Sequence, residues 1–265
     1  MRASLVQLSV DASDTADERR RRAASLVRAR TGDDLVVLPE LWAAGAWSYD
    51  RWEHEAEGLD GPTAQAMSAA ARRAGVWLHA GSIVERDADG TLYNTALLFD
   101  RHGDLRGRYR KIHRYGFDTG EATLMGGGDD IVTVPTDFGV VGLAICYDLR
   151  FPELFRGLLD AGAELVAVPA AWPAARLSHW RLLTRTRALE EQVFLLACCA
   201  TGTHGGMEQA GHSAVVDPWG TVLGETRTAQ ETLTVDLDMS EVPRIRAELP
   251  VLRDRVLTIK APTSP

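Results

Sequence analysis

Lysine is nearly absent from this chain. Of the 29 basic residues among 265, only Lys111 and Lys260 are lysines; the rest are arginines. The formal net charge is -8 and no extended basic block occurs, which excludes the electrostatic footprint of a nucleic-acid binder. The one dense cluster, Glu18-Arg19-Arg20-Arg21-Arg22, lies in a stretch with helical spacing and reads as a solvated helix face. Long hydrophobic runs are also missing. No segment approaches the unbroken apolar length of a membrane helix, and residues 1–11 hold too short an apolar stretch for a signal peptide. Cysteine is scarce: three in all, an odd number, with Cys198 and Cys199 adjacent. A mutual disulfide is awkward there, and a reduced, cytoplasmic compartment is expected. Metal-binding spacings are lacking too, with no Cys-x-x-Cys and no His-Glu-x-x-His. Gly126-Gly127-Gly128-Asp129-Asp130 lacks the Gly-Lys-Ser/Thr of a phosphate loop. No metal site and no nucleic-acid or membrane partner is therefore expected.

What is present is ordinary globular composition, 45% hydrophobic and 25% charged. Nothing resembles a linker, so one domain over residues 1–265 is the simpler organisation. Strand patterns occupy residues 4–10, 35–38, 76–84 and 93–99, and helical spacing covers 14–30 and 62–74. Residues 112–130 read as a glycine-rich loop without a period. The pattern then restarts, with strands expected over 140–146, 165–168 and 193–200, helices over 152–161 and 179–192, and a hairpin around Asp217-Pro218-Trp219-Gly220. A last strand at 232–237 and a short helix at 242–249 follow. The halves are alike: Asp34-Leu35-Val36-Val37-Leu38-Pro39-Glu40-Leu41-Trp42 aligns with Glu164-Leu165-Val166-Ala167-Val168-Pro169-Ala170-Ala171-Trp172. Two copies make a weak duplication, not a solenoid. They predict an α/β fold of two sheets packed face to face, with helices outside.

Ligands in such folds gather at the carboxyl ends of strands. Glu40 ends a strand in the first half and Cys146 ends one in the second; the duplicate carries Ala170 where the first copy has Glu40. At a strand-to-helix elbow, a helix starting near Phe151-Pro152 offers Cys146 N–H groups and a positive dipole end, which favour a thiolate. From this stretch alone the residue is either a nucleophile or a buried core cysteine. A nucleophile needs a base. Among the seven histidines, His113, His179, His204 and His212 are candidates for a papain-like Cys-His pair. A glutamate with a raised pKa also serves, and a neighbouring lysine then holds developing negative charge. Lys111, a compact point charge kept among arginines in Arg108-Tyr109-Arg110-Lys111, fits that part. Lys260 lies in a tail that reads as loose.

These stretches resemble the nitrilase, or carbon-nitrogen hydrolase, superfamily. Leu38-Pro39-Glu40-Leu41-Trp42 is similar to its glutamate motif, Tyr109-Arg110-Lys111-Ile112-His113 to its lysine motif, and residues 142–154, GLAICYDLRFPEL, to its cysteine motif. His179-Trp180, Arg187-Ala188-Leu189-Glu190, Gly211-His212-Ser213 and Val216-Asp217-Pro218-Trp219-Gly220 agree as well. The likeness runs from the first strand to about residue 255. It implies an α-β-β-α sandwich and a cofactor-free Glu-Lys-Cys triad. Glu40 would be the base and Cys146 the nucleophile, with Lys111 and the Tyr147 N–H holding the oxyanion. Glu121, the only glutamate between Lys111 and Cys146, would be the family's second, positioning glutamate, with Asp118 as the nearest rival. The style of the motifs is most like the omega-amidase and deaminated-glutathione amidase branch, which implies a small amide substrate bearing a carboxylate. Arg150 would bind that carboxylate. Ala171-Trp172-Pro173-Ala174-Ala175-Arg176 departs from a stretch that is usually smaller in the family, and there Trp172 would narrow the acyl pocket and Arg176 would add positive charge. A homodimer or higher oligomer is implied too. Other readings are an N-carbamoyl amine or aliphatic amide hydrolase with the same triad, and a non-catalytic binding module on this fold.

Overall fold

The computed structural model describes residues 1–257; Lys260 and the end of the expected domain lie outside the described residues. The chain enters the interior at once through β1 (Arg2–Gln7), of which all but the first residue is buried. Helix α1 (Ala16–Arg28) starts from a capping box: the Thr15 hydroxyl accepts from the Glu18 N–H, and the Glu18 carboxylate accepts from the Thr15 N–H at 2.8 Å. Strand β2 (Leu35–Val37) is wholly buried, as an unbroken apolar run requires in a central parallel strand. A one-turn helix α2 (Trp52–Glu55) precedes α3 (Pro62–Ala74). Proline opens α3, and Gly75 closes it in the left-handed region at φ 70°. Strands β3 (Trp77–Arg86), β4 (Leu92–Phe99) and β5 (Leu105–Arg110) form an antiparallel meander.

The second half begins after a one-turn helix α4 (Glu121–Leu124), a feature absent from the loop expected over residues 112–130. It contains β6 (Thr133–Thr136), β7 (Gly139–Leu143), α5 (Pro152–Asp160), β8 (Leu165–Ala170), α6 (Leu177–Glu191) and β9 (Phe194–Cys199). A two-residue hairpin, β10 (Thr203–His204) and β11 (Met207–Glu208), is followed by β12 (Ala214–Val216), β13 (Val222–Glu225), β14 (Glu231–Asp236) and α7 (Glu241–Glu248).

The strands form two six-stranded sheets, ordered β14-β1-β2-β3-β4-β5 and β13-β12-β9-β8-β7-β6. Each has three parallel strands, an antiparallel pair on one side and a single antiparallel edge on the other. The expected duplication is thus a property of the sheets. Alternation sorts the side chains by face. Leu5, Leu35, Val37 and Leu98 pack between the sheets with Leu143, Leu165, Ala167 and Leu196. Val36 and Leu38 point outward, onto Ala23 and Val27 of α1 and Met67 and Ala71 of α3. The result is the expected α-β-β-α sandwich. No helix among the described residues is long and apolar enough to cross a membrane.

Candidate active site

Two strand ends supply Glu40 and Cys146, the candidate base and nucleophile, and the chain turns sharply at each. Glu40 lies three residues past β2, and the next residue, Leu41, has φ 44°. Cys146 lies three residues past β7 and has φ 45° itself. Left-handed conformations cost free energy in residues with a Cβ and persist only where surroundings impose them. On the first side those surroundings are Ser82 Oγ, which accepts the Leu41 N–H at 3.0 Å, and Gly81, whose missing side chain leaves room for the Pro39 carbonyl. On the second, the chain leaves the strand at Leu143, and Cys146 opens a 3-10 turn, Cys146–Arg150. The expectation that strand 140–146 ends at the cysteine is therefore corrected: α5 begins only at Pro152, so its N-terminal N–H groups belong to a later turn than the sulfur. Lys111 directly follows β5, with its backbone N–H donating to Asn94 O on β4 at 2.9 Å.

The pseudo-equivalent positions of the two halves meet. Glu40 N–H donates to Ala170 O at 3.5 Å, and the Ala171 N–H donates to Glu40 Oε2 at 2.9 Å. The other carboxylate oxygen, Oε1, accepts from Lys111 Nζ at 2.7 Å and Asn94 Nδ2 at 2.8 Å. Lys111 Nζ also donates to Glu121 Oε2 at 2.7 Å and Oε1 at 3.0 Å. Glu121 is held by the Tyr115 N–H at 2.8 Å and by Asn94 Nδ2. Cys146 lines the same pocket as Glu40 and Lys111. Glu40, Lys111, Glu121 and Cys146 are all buried.

Charge in this closed space obeys a simple balance. Burial alone would pull the Lys111 ammonium down, but Glu121 and Glu40 outweigh it and hold its pKa well above the ordinary value. Burial also lifts Glu121, with Lys111 opposing and Glu40 adding to the effect. Burial and the Glu40 carboxylate push the Cys146 thiol well above its ordinary value, against the pull of Lys111. The thiolate favoured by the sequence reading is therefore corrected to a resting thiol. It stands beside a carboxylate able to take its proton and an ammonium able to stabilise an anion.

A cavity opens over these groups. Every residue given a part in the amidase reading lines it: Glu40, Lys111, Glu121, Cys146, Tyr147, Arg150 and Trp172, with Arg176. Arg150 lies 4.8 Å over the Trp172 ring, and Arg176 donates to the Tyr115 hydroxyl at 3.2 Å. Neither guanidinium has a carboxylate partner among the described residues. No histidine lines the cavity. His113 bonds Asp148, His204 bonds Arg19 and Ser48, His212 bonds Glu225, and His179 contacts Arg150. A papain-like Cys-His pair is thereby excluded. Sequence reasoning missed Asn94, whose amide donates to both carboxylates; its signal was a polar residue inside an apolar strand, one register step from Lys111. It also missed Trp47, Tyr49 and Tyr115, aromatic walls of the cavity.

Comparison with known proteins agrees with this fold. A sequence model described as carbon-nitrogen hydrolase matches residues 2–247. A 2-oxoglutaramate amidase of Paenarthrobacter nicotinovorans is 39% identical over 257 residues, covering 94% of this chain and 87% of that protein. An omega-amidase of Mus musculus is 36% identical, covering 96% and 94%. Among solved structures, XC1258 from Xanthomonas campestris, described as a CN-hydrolase superfamily protein with an arsenic adduct in the active site, superposes with a TM-score of 0.90. It is 30% identical and covers 98% of this chain and 99% of its own.

Proposed function

The chain belongs to the carbon-nitrogen hydrolase family, and we propose that this amidase hydrolyses the terminal amide of a small carboxylate such as 2-oxoglutaramate through a thioester on Cys146. The observation that carries the reading is a buried thiol in one pocket with Glu40, where Lys111 bridges Glu40 and Glu121, together with two guanidiniums that have no acidic partner among the described residues. Glu40 takes the thiol proton as Sγ attacks the amide carbon. Lys111 Nζ and the Tyr147 N–H hold the oxyanion, in a site where preorganised charge is worth far more than in water. Glu40 returns the proton to the leaving nitrogen, and ammonia departs. It then takes a proton from water, which attacks the thioester, releasing the acid and restoring the thiol. Glu121 keeps Lys111 charged and aimed. Arg150 binds the substrate carboxylate, and Trp172 forms the wall on which that guanidinium rests.

Two further parts of this reading concern the protein in its setting. A homodimer is supported by apolar side chains left exposed on one face, Leu182 and Leu189 of α6 with Trp219. A reducing, cytoplasmic compartment is supported by three free, buried cysteines.

Ammonia release from a panel tests the substrate: 2-oxoglutaramate, succinamate, deaminated glutathione, N-carbamoyl-β-alanine and a neutral aliphatic amide. Carboxylate-bearing amides should be turned over, and Cys146→Ala should abolish it. Arg150→Gln should raise KM for those amides by about 10- to 100-fold, the value of a charge-assisted carboxylate contact, and leave any neutral amide unchanged. Turnover of the carbamoyl or neutral member alone would keep the triad and discard the carboxylate assignment.

A further inference from the structure

Lys111 and Cys146 come from opposite sheets, so something must fix the distance between them. Lys111 follows β5 of the first sheet, and Cys146 follows β7 of the second. A single buried carboxylate, Asp148, touches both segments. Its Oδ2 accepts from the Tyr109 hydroxyl at 2.8 Å and from the Ile145 N–H at 2.8 Å. Its Oδ1 accepts from the His113 N–H at 3.1 Å and contacts His113 Nδ1 at 2.8 Å. Tyr109 and His113 stand two residues before and two residues after Lys111, and Ile145 immediately precedes Cys146. The carboxylate thus grips both flanks of the lysine and the residue leading into the nucleophile.

The grip is well built on each side. Tyr109 is fully buried between the sheets, and its hydroxyl, while donating to Asp148, accepts the Ile112 N–H at 3.3 Å. Burial and the neighbouring carboxylate lift the Tyr109 phenol well above its ordinary value, so it remains a donor. The His113 ring stacks on Phe151 at 3.7 Å between centroids and 4° between planes, which fixes Nδ1 toward Asp148. On the cysteine side, the bond to Ile145 N–H caps the 3-10 turn, and the Asp148 N–H donates back to Ile145 O at 2.9 Å. These two bonds bracket the positive φ of Cys146. No arginine or lysine pairs with Asp148 among the described residues; its partners are Tyr109, Ile145 and His113.

We infer that Asp148 is a positioning residue that staples the lysine segment of one sheet to the cysteine turn of the other and so sets the Lys111–Cys146 geometry of the reaction. The inference rests on the Glu-Lys-Cys reading of the site, but not on the identity of the substrate. A buried aspartate that merely supported the fold would affect stability alone. One that sets reacting geometry affects the chemical step, because a displacement of about 1 Å costs about 100-fold in rate.

The test uses Asp148→Asn, Tyr109→Phe and the double variant, with circular dichroism confirming that each is folded at the assay temperature. Two readouts are taken: kcat and KM on the best amide, and the rate of Cys146 alkylation by iodoacetamide. Asp148→Asn keeps the shape but turns one acceptor into a donor. It should lower kcat by about 100-fold while KM moves less than about 3-fold, and slow or misdirect alkylation. Tyr109→Phe should lower kcat by about 10-fold, and the double variant should match Asp148→Asn alone, because both remove one linkage. A folded Asp148→Asn with wild-type kcat, or losses that multiply in the double variant, would overturn the inference. Should Asp148→Asn fail to fold, Tyr109→Phe and His113→Gln decide: wild-type kcat and alkylation in both would overturn it, and a loss of kcat in either folded variant at constant KM would support it. Failure of the site reading itself has another signature, namely wild-type protein that stays active after Cys146 is alkylated.

Discussion

At the scale of the residue, the site is an arrangement of two carboxylates around one ammonium, and Asn94 is the piece that makes it possible. Its amide donates to Glu40 and Glu121 together, next to the cation they share. Asn94→Asp would put a third carboxylate where a donor stood. We predict that kcat falls by about 100-fold or more with the fold retained, since a preorganised donor is replaced by a like charge; steady-state kinetics beside a thermal melt would check this. An unchanged kcat would mean that Glu40 is not held by Asn94 during turnover. Glu40, Lys111 and Cys146 were legible because each interrupts a pattern: a charge at the end of an apolar run, a lysine among arginines, a sulfur at an elbow. Glu121 was legible by elimination within the resemblance. Asn94 was not, because a single polar residue in a strand has many explanations until the strand pairing is known.

At the scale of the element, most helices and strands follow from local rules, and the exceptions have causes. Strand β6 contains Pro135 and few apolar residues, and it is tolerated because β6 is an edge strand. The β10–β11 hairpin is too short to leave a period. The early end of β7 reflects the capped 3-10 turn, whose stabilising bonds come from a side chain rather than from strand propensity. Gly81 shows how an element holds the site at a distance. It lies in a register shift of β3 at φ 70°, where a Cβ would stand 1.8 Å from the Pro39 carbonyl oxygen. Gly81→Ala must therefore displace the segment that carries Glu40. The expected result is a loss of at least about 1 kcal/mol in urea unfolding, from the left-handed conformation alone, together with a fall in kcat. Full activity in this variant would show that Glu40 tolerates movement of its backbone.

At the scale of the whole molecule, two similar halves bury a common core, and that core holds one histidine the chemistry does not use. His79 is completely buried, neither ring nitrogen has a hydrogen-bond partner among the described residues, and burial pulls its pKa down to about 4. The folded value lies below the ordinary 6.5, so stability is full above about pH 6.5 and is lost as pH falls toward 4, where the unfolded chain binds a proton that the native state refuses. At about 1.4 kcal/mol per pH unit this amounts to about 3 kcal/mol. His79→Leu, similar in volume, should leave stability at pH 7 equal or higher and flatten its decline between pH 6.5 and 4. Urea titrations of both proteins across that window would show the difference, and parallel curves would contradict it. The duplication itself was visible in the sequence through Leu35-Val36-Val37 and Leu165-Val166-Ala167. The direct meeting of Glu40 with Ala170 and Ala171 was not, since it depends on how the sheets face each other.

The central claim is that Cys146 carries the acyl group. The most direct test is intact-protein mass spectrometry of the enzyme quenched during turnover of 2-oxoglutaramate, or of whichever panel amide it consumes, followed by peptide mapping. The expected result is a mass increase equal to the acyl group, confined to the peptide containing Cys146 and absent from Cys146→Ala. An adduct on another residue, or turnover persisting in Cys146→Ala, would contradict it.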